Sequence, residues 1–225
     1  MFKSKRRPIA IPQSEHLKLV GALAFLWGNA EFDFPQIKRL SLVAGIGLHD
    51  HGYGSLDTAP VMEMPEREWL AITRRGFDMT GSDPAADLIT RYHLRRLARG
   101  NPSVAAQELA QAFDIEIQAQ LSAGTTNALD ADLFERIDRI TDLCDSISFG
   151  FCCEQPAHGQ VPIFPRNANK TEVLVRYSID QGSIIVDPWP FSIDSIVGYI
   201  VGYHLPSYPN RLDPVILPYS LARQQ

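Results

Sequence analysis

Apolar and polar positions recur with a helical period over most of the first 155 residues and with a strand period beyond about residue 160. Ser14 to Gly28 (SEHLKLVGALAFLWG) is apolar on most faces, begins after Pro12 and stops at Gly28-Asn29, which predicts a largely buried helix with His16 in its first turn. Residues 37–57 (IKRLSLVAGIGLHDHGYGSLD) open as an amphipathic helix and carry no charge between Leu40 and Leu48. They then deliver His49, Asp50 and His51 into a loop with Gly52 and Gly54. An uncharged run of this kind predicts a buried helix, here one that ends in ionisable groups. The segment from Ser55 to Thr80 is mixed in character, and Pro60 and Pro65 predict irregular structure.

A further helix is signalled by Ser82-Asp83-Pro84, a capping residue before a proline at the first helical position, and is closed by Gly100. Within it Ile89, Tyr92 and His93 share an apolar stripe, with Arg91, Arg95, Arg96 and Arg99 around it reading as a solvated face from which one arginine could bind an anion. Asn101-Pro102-Ser103 starts the next helix, with Leu109, Phe113, Ile117 and Leu121 four apart and Gly124 after it. The last helix runs from near Ala131 to about Cys153, with Leu133, Ile137, Ile140, Cys144, Ile147 and Phe151 facing inward. Asp145 falls at the border of that face, just before the uncharged run SISFGFCC, and Asp138 and Asp142 lie farther round, on a solvated face.

The grammar then changes. Thr171 to Ile179 alternates strictly, Asp180-Gln181-Gly182 is a turn and Ser183 to Val186 completes a hairpin. Asp187-Pro188-Trp189-Pro190-Phe191 breaks the pattern, Trp189 and Phe191 serving as a plug between hairpin and helices. Ile196 to Leu205 alternates again. These elements predict an α+β fold, mostly α, in which a small C-terminal antiparallel sheet packs on a helical core. Three strands bury too little surface to stand alone, so residues 1–225 read as one domain, with a helical core of about 12–155 and a β-rich part of about 160–218.

Composition narrows the function. A hydrophobic fraction of 45% in 225 residues supplies a sizeable core, and a net charge of -5 argues against nucleic acid as a partner. The basic run Lys3 to Arg7 reads as a solvated tail, because no apolar segment of signal-peptide or membrane-spanning length follows it. Cys144, Cys152 and Cys153 form neither a zinc pattern nor a disulfide framework, which points to a reducing cytoplasm.

The buried polar groups are His16, His49-Asp50, His93 and Asp145, each on or ending a separate helix. Imidazoles and carboxylates are costly to bury unless paired or bound to a metal, and this mixture suits iron, manganese or zinc with open coordination positions. Against that stand ordinary roles: a histidine at a helix C-terminus meeting the dipole, a core histidine at position 93, a carboxylate at 145 satisfied by backbone or arginine. His51 reads as a solvent-facing loop residue, and Asp57 as a turn residue that could also orient a ligand.

The order His, His-Asp, His, Asp resembles the HD superfamily of metal-dependent phosphohydrolases. SEHLKLVGALAFLWG, LHDHGYGSLDTAP, CDSISFGFCC and VDPWPF are similar to the successive motifs of an uncharacterised, mostly bacterial family, domain of unknown function 3891. The resemblance implies an HD-like helical core in which His16, His49, Asp50 and Asp145 bind the metal, with His93 and Asp50 as the catalytic pair. It implies a hydrolase acting on a small anionic substrate, a phosphoester or nucleotide. Two features depart from the HD pattern: Tyr53 stands where many HD hydrolases have lysine, and no further histidine lies between His93 and Asp145, which favours a single metal. An iron-dependent oxygenase and a non-catalytic, ligand-binding scaffold stay open beside the hydrolase.

Overall fold

Helices form where apolar periodicity and end chemistry agree. In the structure, a computed structural model that describes residues 1–54, 58–122, 130–154, 157–166 and 171–223, Pro12 occupies the N-cap of α1 (Gln13–Phe25). Helix α2 spans Arg39–Gly47. Its uncharged run is buried on one face only: Ser41, Leu42, Gly45 and Ile46 are inside, whereas Leu40 and Leu48 are exposed. An α3 helix, Glu66–Asp78, occupies part of the stretch read as irregular. Pro65 stands at its N-cap rather than inside it, and Thr73, Gly76 and Phe77 form its buried face. A proline just before a helix is compatible with its start, which is why Pro65 does not make this stretch irregular.

Helix α4 (Pro84–Gly100) begins as expected. The Asp83 carboxylate accepts hydrogen bonds from the backbone N–H groups of Ala85 and Ala86 at 3.0 and 3.4 Å and from the Ser41 hydroxyl at 2.6 Å. The Ser41 bond first, then the two amides, hold its carboxyl below the ordinary value. A depressed carboxylate contributes stability above its unfolded value near 3.8 and loses it as pH falls through the lower folded value. Asp83→Ala is therefore expected to cost about 1 kcal/mol at pH 7, and urea titrations repeated at pH 3 should show the gap narrowing. Helices α5 (Val104–Ser122) and α6 (Ala131–Cys153) complete the helical part.

The sheet overturns the expected fold class. It is not a small C-terminal antiparallel unit on an HD-type helical core but a mixed sheet of seven strands: β1 (Phe2–Lys3), β2 (Ile9–Ile11), β3 (His158–Ile163), β4 (Val173–Asp180), β5 (Ser183–Asp187), β6 (Ser195–His204) and β7 (Pro214–Ala222). Their order across the sheet is β1-β2-β6-β7-β5-β4-β3, antiparallel throughout except for β5 with β7. Strands of two and three residues are too short to show a period, and Pro162, Pro214 and Pro218 disguised the others. Pro218 is tolerated because β7 pairs with β5 only at Ser220 and Leu221, so the missing N–H of Pro218 faces no partner strand on that side.

The basic run at 3–7 is likewise no free tail. Lys3 ends β1, Ser4 is buried against Glu154, and only the turn at 5–8 is exposed before β2 pairs with β6. Phe2, brought in by this hairpin, lies with its ring centroid 4.6 Å from that of His16.

Helices α1 and α6 lie between the sheet and the remaining helices, and one continuous core links Leu19 and Ile147 with Val175, Ile200 and Leu217. Glu15 in the first turn of α1 accepts a hydrogen bond from the backbone of Val201 at 2.8 Å. Trp189 and Phe191 pack against each other, and Phe191 meets Trp27 at the end of α1, the plug the sequence implied. Among the described residues no helix is long and apolar enough to cross a membrane.

Helices α2 and α4 advance side by side: Ser41 meets Asp83, Gly45 meets Ile89 and His49 meets His93. Gly45 permits this approach, since a Cβ there would lie 2.6 Å from Ile89 Cβ and 2.8 Å from the Ala86 carbonyl oxygen. Gly45→Ala is expected to push the helices apart at a cost of about 1–3 kcal/mol. Chemical denaturation would measure it.

Candidate metal centre

Each predicted side chain is delivered by a separate piece of local structure. His16 sits in the first turn of α1, His49 and Asp50 directly follow α2, His93 lies midway along α4, and Asp145 lies past the middle of α6. The three histidines are fully buried and Asp50 nearly so, while the Asp145 side chain keeps 18% of its surface. Ser148 one turn on from Asp145 donates to the carbonyl of His16 at 3.1 Å, which pins α6 to α1 beside the centre.

The structure brings all five together. His16 Nε2 lies 3.3 Å from Asp145 Oδ1 and 3.4 Å from His49 Nε2, and His49 Nε2 lies 3.5 Å from Asp145 Oδ1. His49 Nε2 is also 3.7 Å from Asp50 Oδ2, and His93 Nε2 is 3.7 Å from Asp50 Oδ1. These atoms fall into two overlapping groups that could hold an ion: His16, His49 and Asp145, and His49, Asp50 and His93.

The first group passes a geometric test. Ligands held about 2.1 Å from a tetrahedral cation stand roughly 3.4 Å from one another, and the three edges here are 3.4, 3.5 and 3.3 Å. His49 is also oriented for the task, because its Nδ1 lies 2.8 Å from the Ile46 carbonyl, which fixes a proton there and makes Nε2 the nitrogen that can offer a lone pair to a cation in exchange for any second proton. His16 Nδ1, Asp50 Oδ1 and His93 Nε2 have no hydrogen-bond partner among the described residues despite being buried. Buried orphans of this kind are rare in folded proteins, and two of them face one another across 3.7 Å, too far for a direct bond.

Charge gives a second argument for a cation. Burial works against charge on His49, but Asp50 and then Asp145 outweigh it and raise its pKa to about 9. Burial likewise opposes ionisation of both carboxylates, yet His49 and His93 hold Asp50 low, and His16 and His49 hold Asp145 well below the carboxylate range. His93 moves the other way, lowered by burial and then by the charge on His49. A divalent ion would neutralise the two carboxylates without needing a protonated histidine between them.

Several neighbours were misjudged from the sequence. Asp138 and Asp142 are not a solvated face: Asp138 is buried, Asp142 half-buried, and both pair with Arg96, at 3.1 and 2.9 Å. Arg96 reaches His93 Nδ1 at 2.9 Å. Arg95 is buried as well, 2.6 Å from Glu135 and stacked over Tyr92. The available signal was spacing, since Arg96 lies three residues after His93 and Asp138 and Asp142 are four apart, each pair sharing a helix face. His51 is half-buried, not solvent-facing, with its ring nitrogens 2.6 Å from the Leu48 carbonyl and 3.2 Å from that of Gly76. Asp57 lies outside the described residues.

Residues 2–207 match the family described as "Protein of unknown function (DUF3891)". The chain belongs to that family. The matched span includes β1 to β6 but stops short of β7, and it contains His16, His49, Asp50, His93 and Asp145, so the centre of this DUF3891 protein falls inside the matched region. No curated protein and no solved structure matches the chain.

Proposed function

We propose that this protein is a cation-dependent hydrolase in which His16, His49, Asp50 and Asp145 hold one divalent ion, iron, manganese or zinc. The observation that carries the reading is the triangle of His16 Nε2, His49 Nε2 and Asp145 Oδ1, with edges of 3.3 to 3.5 Å. When bound, such an ion would lower the pKa of a water toward neutrality and polarise a phosphoryl or carbonyl group through its oxygen. The chain itself supplies the rest. Asp50, whose Oδ2 is the oxygen nearer His49, keeps Oδ1 unpaired and able to accept a proton, and the unpaired Nε2 of His93 can exchange one with substrate.

The order of these ligands, which resembles that of HD phosphohydrolases, supports a small phosphoester or nucleotide as substrate; the likeness extends to residue order and not to the sheet-bearing fold. Cys144, Cys152 and Cys153 are all buried free thiols, which supports a reducing, cytoplasmic setting.

Elemental analysis of protein purified without added metal, followed by a panel of phosphomonoesters and nucleotides with and without chelator, tests the proposal. The expected result is about one ion per chain and hydrolysis that chelator abolishes. Metal-free protein whose activity or stability ignores chelator would sink it. A set of two histidines and one carboxylate also serves iron(II) oxygenases, and oxygen consumption by the iron-loaded protein in place of hydrolysis would favour that chemistry.

A further inference from the structure

We propose that Arg96, held by Asp138 and Asp142, is a positioning residue that fixes His93 in the tautomer protonated on Nε2, making His93 a hydrogen-bond donor at the centre and barring it from the metal. Each nitrogen of the Arg96 guanidinium has its own partner. Nε lies 3.1 Å from Asp138 Oδ2, Nη1 lies 2.9 Å from Asp142 Oδ1, and Nη2 lies 2.9 Å from His93 Nδ1. The two aspartates belong to α6 and the arginine and histidine to α4, so the packing of these helices sets the plane of the guanidinium.

An arginine side chain has five N–H donors and no acceptor. Its partner at 2.9 Å must therefore offer a lone pair, and Nδ1 of His93 carries no proton. In a neutral imidazole the proton then sits on Nε2, the atom that faces Asp50 Oδ1 across 3.7 Å. A nitrogen that carries a proton cannot ligate a cation, and stripping it would leave an imidazolate. The contrast with His49 lies in the chemistry of the Nδ1 partner. There the partner is a carbonyl oxygen, which can only accept, so Nδ1 keeps its proton and Nε2 is the nitrogen that can exchange a proton for a cation. Of the two overlapping groups, His16, His49 and Asp145 is thus the one that holds the ion, and His93 stands over it as a donor to substrate or to Asp50.

The role of His93 toward substrate rests on the hydrolase reading above; its tautomer does not, so the two can fail separately. The test is long-range proton–nitrogen correlation NMR on protein labelled with ¹⁵N-histidine, with His93 assigned by its loss in His93→Gln. Cation-free protein is expected to show His93 protonated on Nε2 and bare at Nδ1, and added zinc should leave that signature in place. Arg96→Met should lose it, giving a mixture of tautomers, and His93→Gln should retain the zinc content of the unmodified protein. A signature of Nδ1–H, of a doubly protonated ring, or of a zinc-ligated Nε2 overturns the proposal, as does an unchanged signature in Arg96→Met or loss of zinc from His93→Gln. The measurements on the unmodified chain decide the matter even if Arg96→Met does not fold. If zinc does not bind at all, the metal reading falls while the cation-free spectrum still tests the tautomer.

Discussion

Asp145→Asn is expected to fold and to bind its cation more than about 100-fold more weakly, because even partners one shell removed from a metal alter affinity by about 10- to 100-fold and Asp145 Oδ1 closes the ligand triangle. Asp145 supplies the carboxylate of that triangle, 3.3 Å from His16 Nε2 and 3.5 Å from His49 Nε2. An amide keeps the shape and one acceptor oxygen but removes the charge that offsets the ion. Elemental analysis and competition with a chromogenic chelator would measure the loss. Retention of the ion by this variant would remove α6 from the centre and leave only the histidines and Asp50.

Cation binding should also raise thermal stability by a large margin. A ligand that binds only the folded state at about 1,000 times its dissociation constant adds about 4 kcal/mol, and each kcal/mol shifts the midpoint by about 2–4 °C for a chain of this size. Calorimetry with and without chelator should therefore separate the two forms by about 8–16 °C. The physical basis is that three segments converge on the ion, α1, the end of α2 and α6, with α4 supplying His93 alongside. An ion linking them opposes their separation. Coincident melting curves would contradict a centre of this kind.

Much of the helical part could be read from local pattern. Asp83-Pro84 and Gly100 bracket α4 where the structure has it, and Ala131 to Cys153 coincide with α6. The candidate ligands were also legible, because burying a histidine or aspartate in an apolar stripe needs a partner wherever the stripe leads. What stayed hidden was the partner itself. Arg96 looked like one of four surface arginines until α6 placed Asp138 and Asp142 against it, and those aspartates looked solvated for the same reason.

Sequence alone therefore determined the elements whose reasons lie within a few residues: caps, apolar faces, the hairpin at 173–187, and the five side chains that burial would oblige to find company. The tertiary structure decided the size and mixed character of the sheet, through the pairing of residues 9–10 with 203–204 and of β5 with β7. It also decided which nitrogen of each histidine faces its neighbours. Helical and strand periods are local properties of the chain, whereas strand order, ion pairing and tautomer depend on atoms brought together from distant positions, and no window of sequence contains both partners.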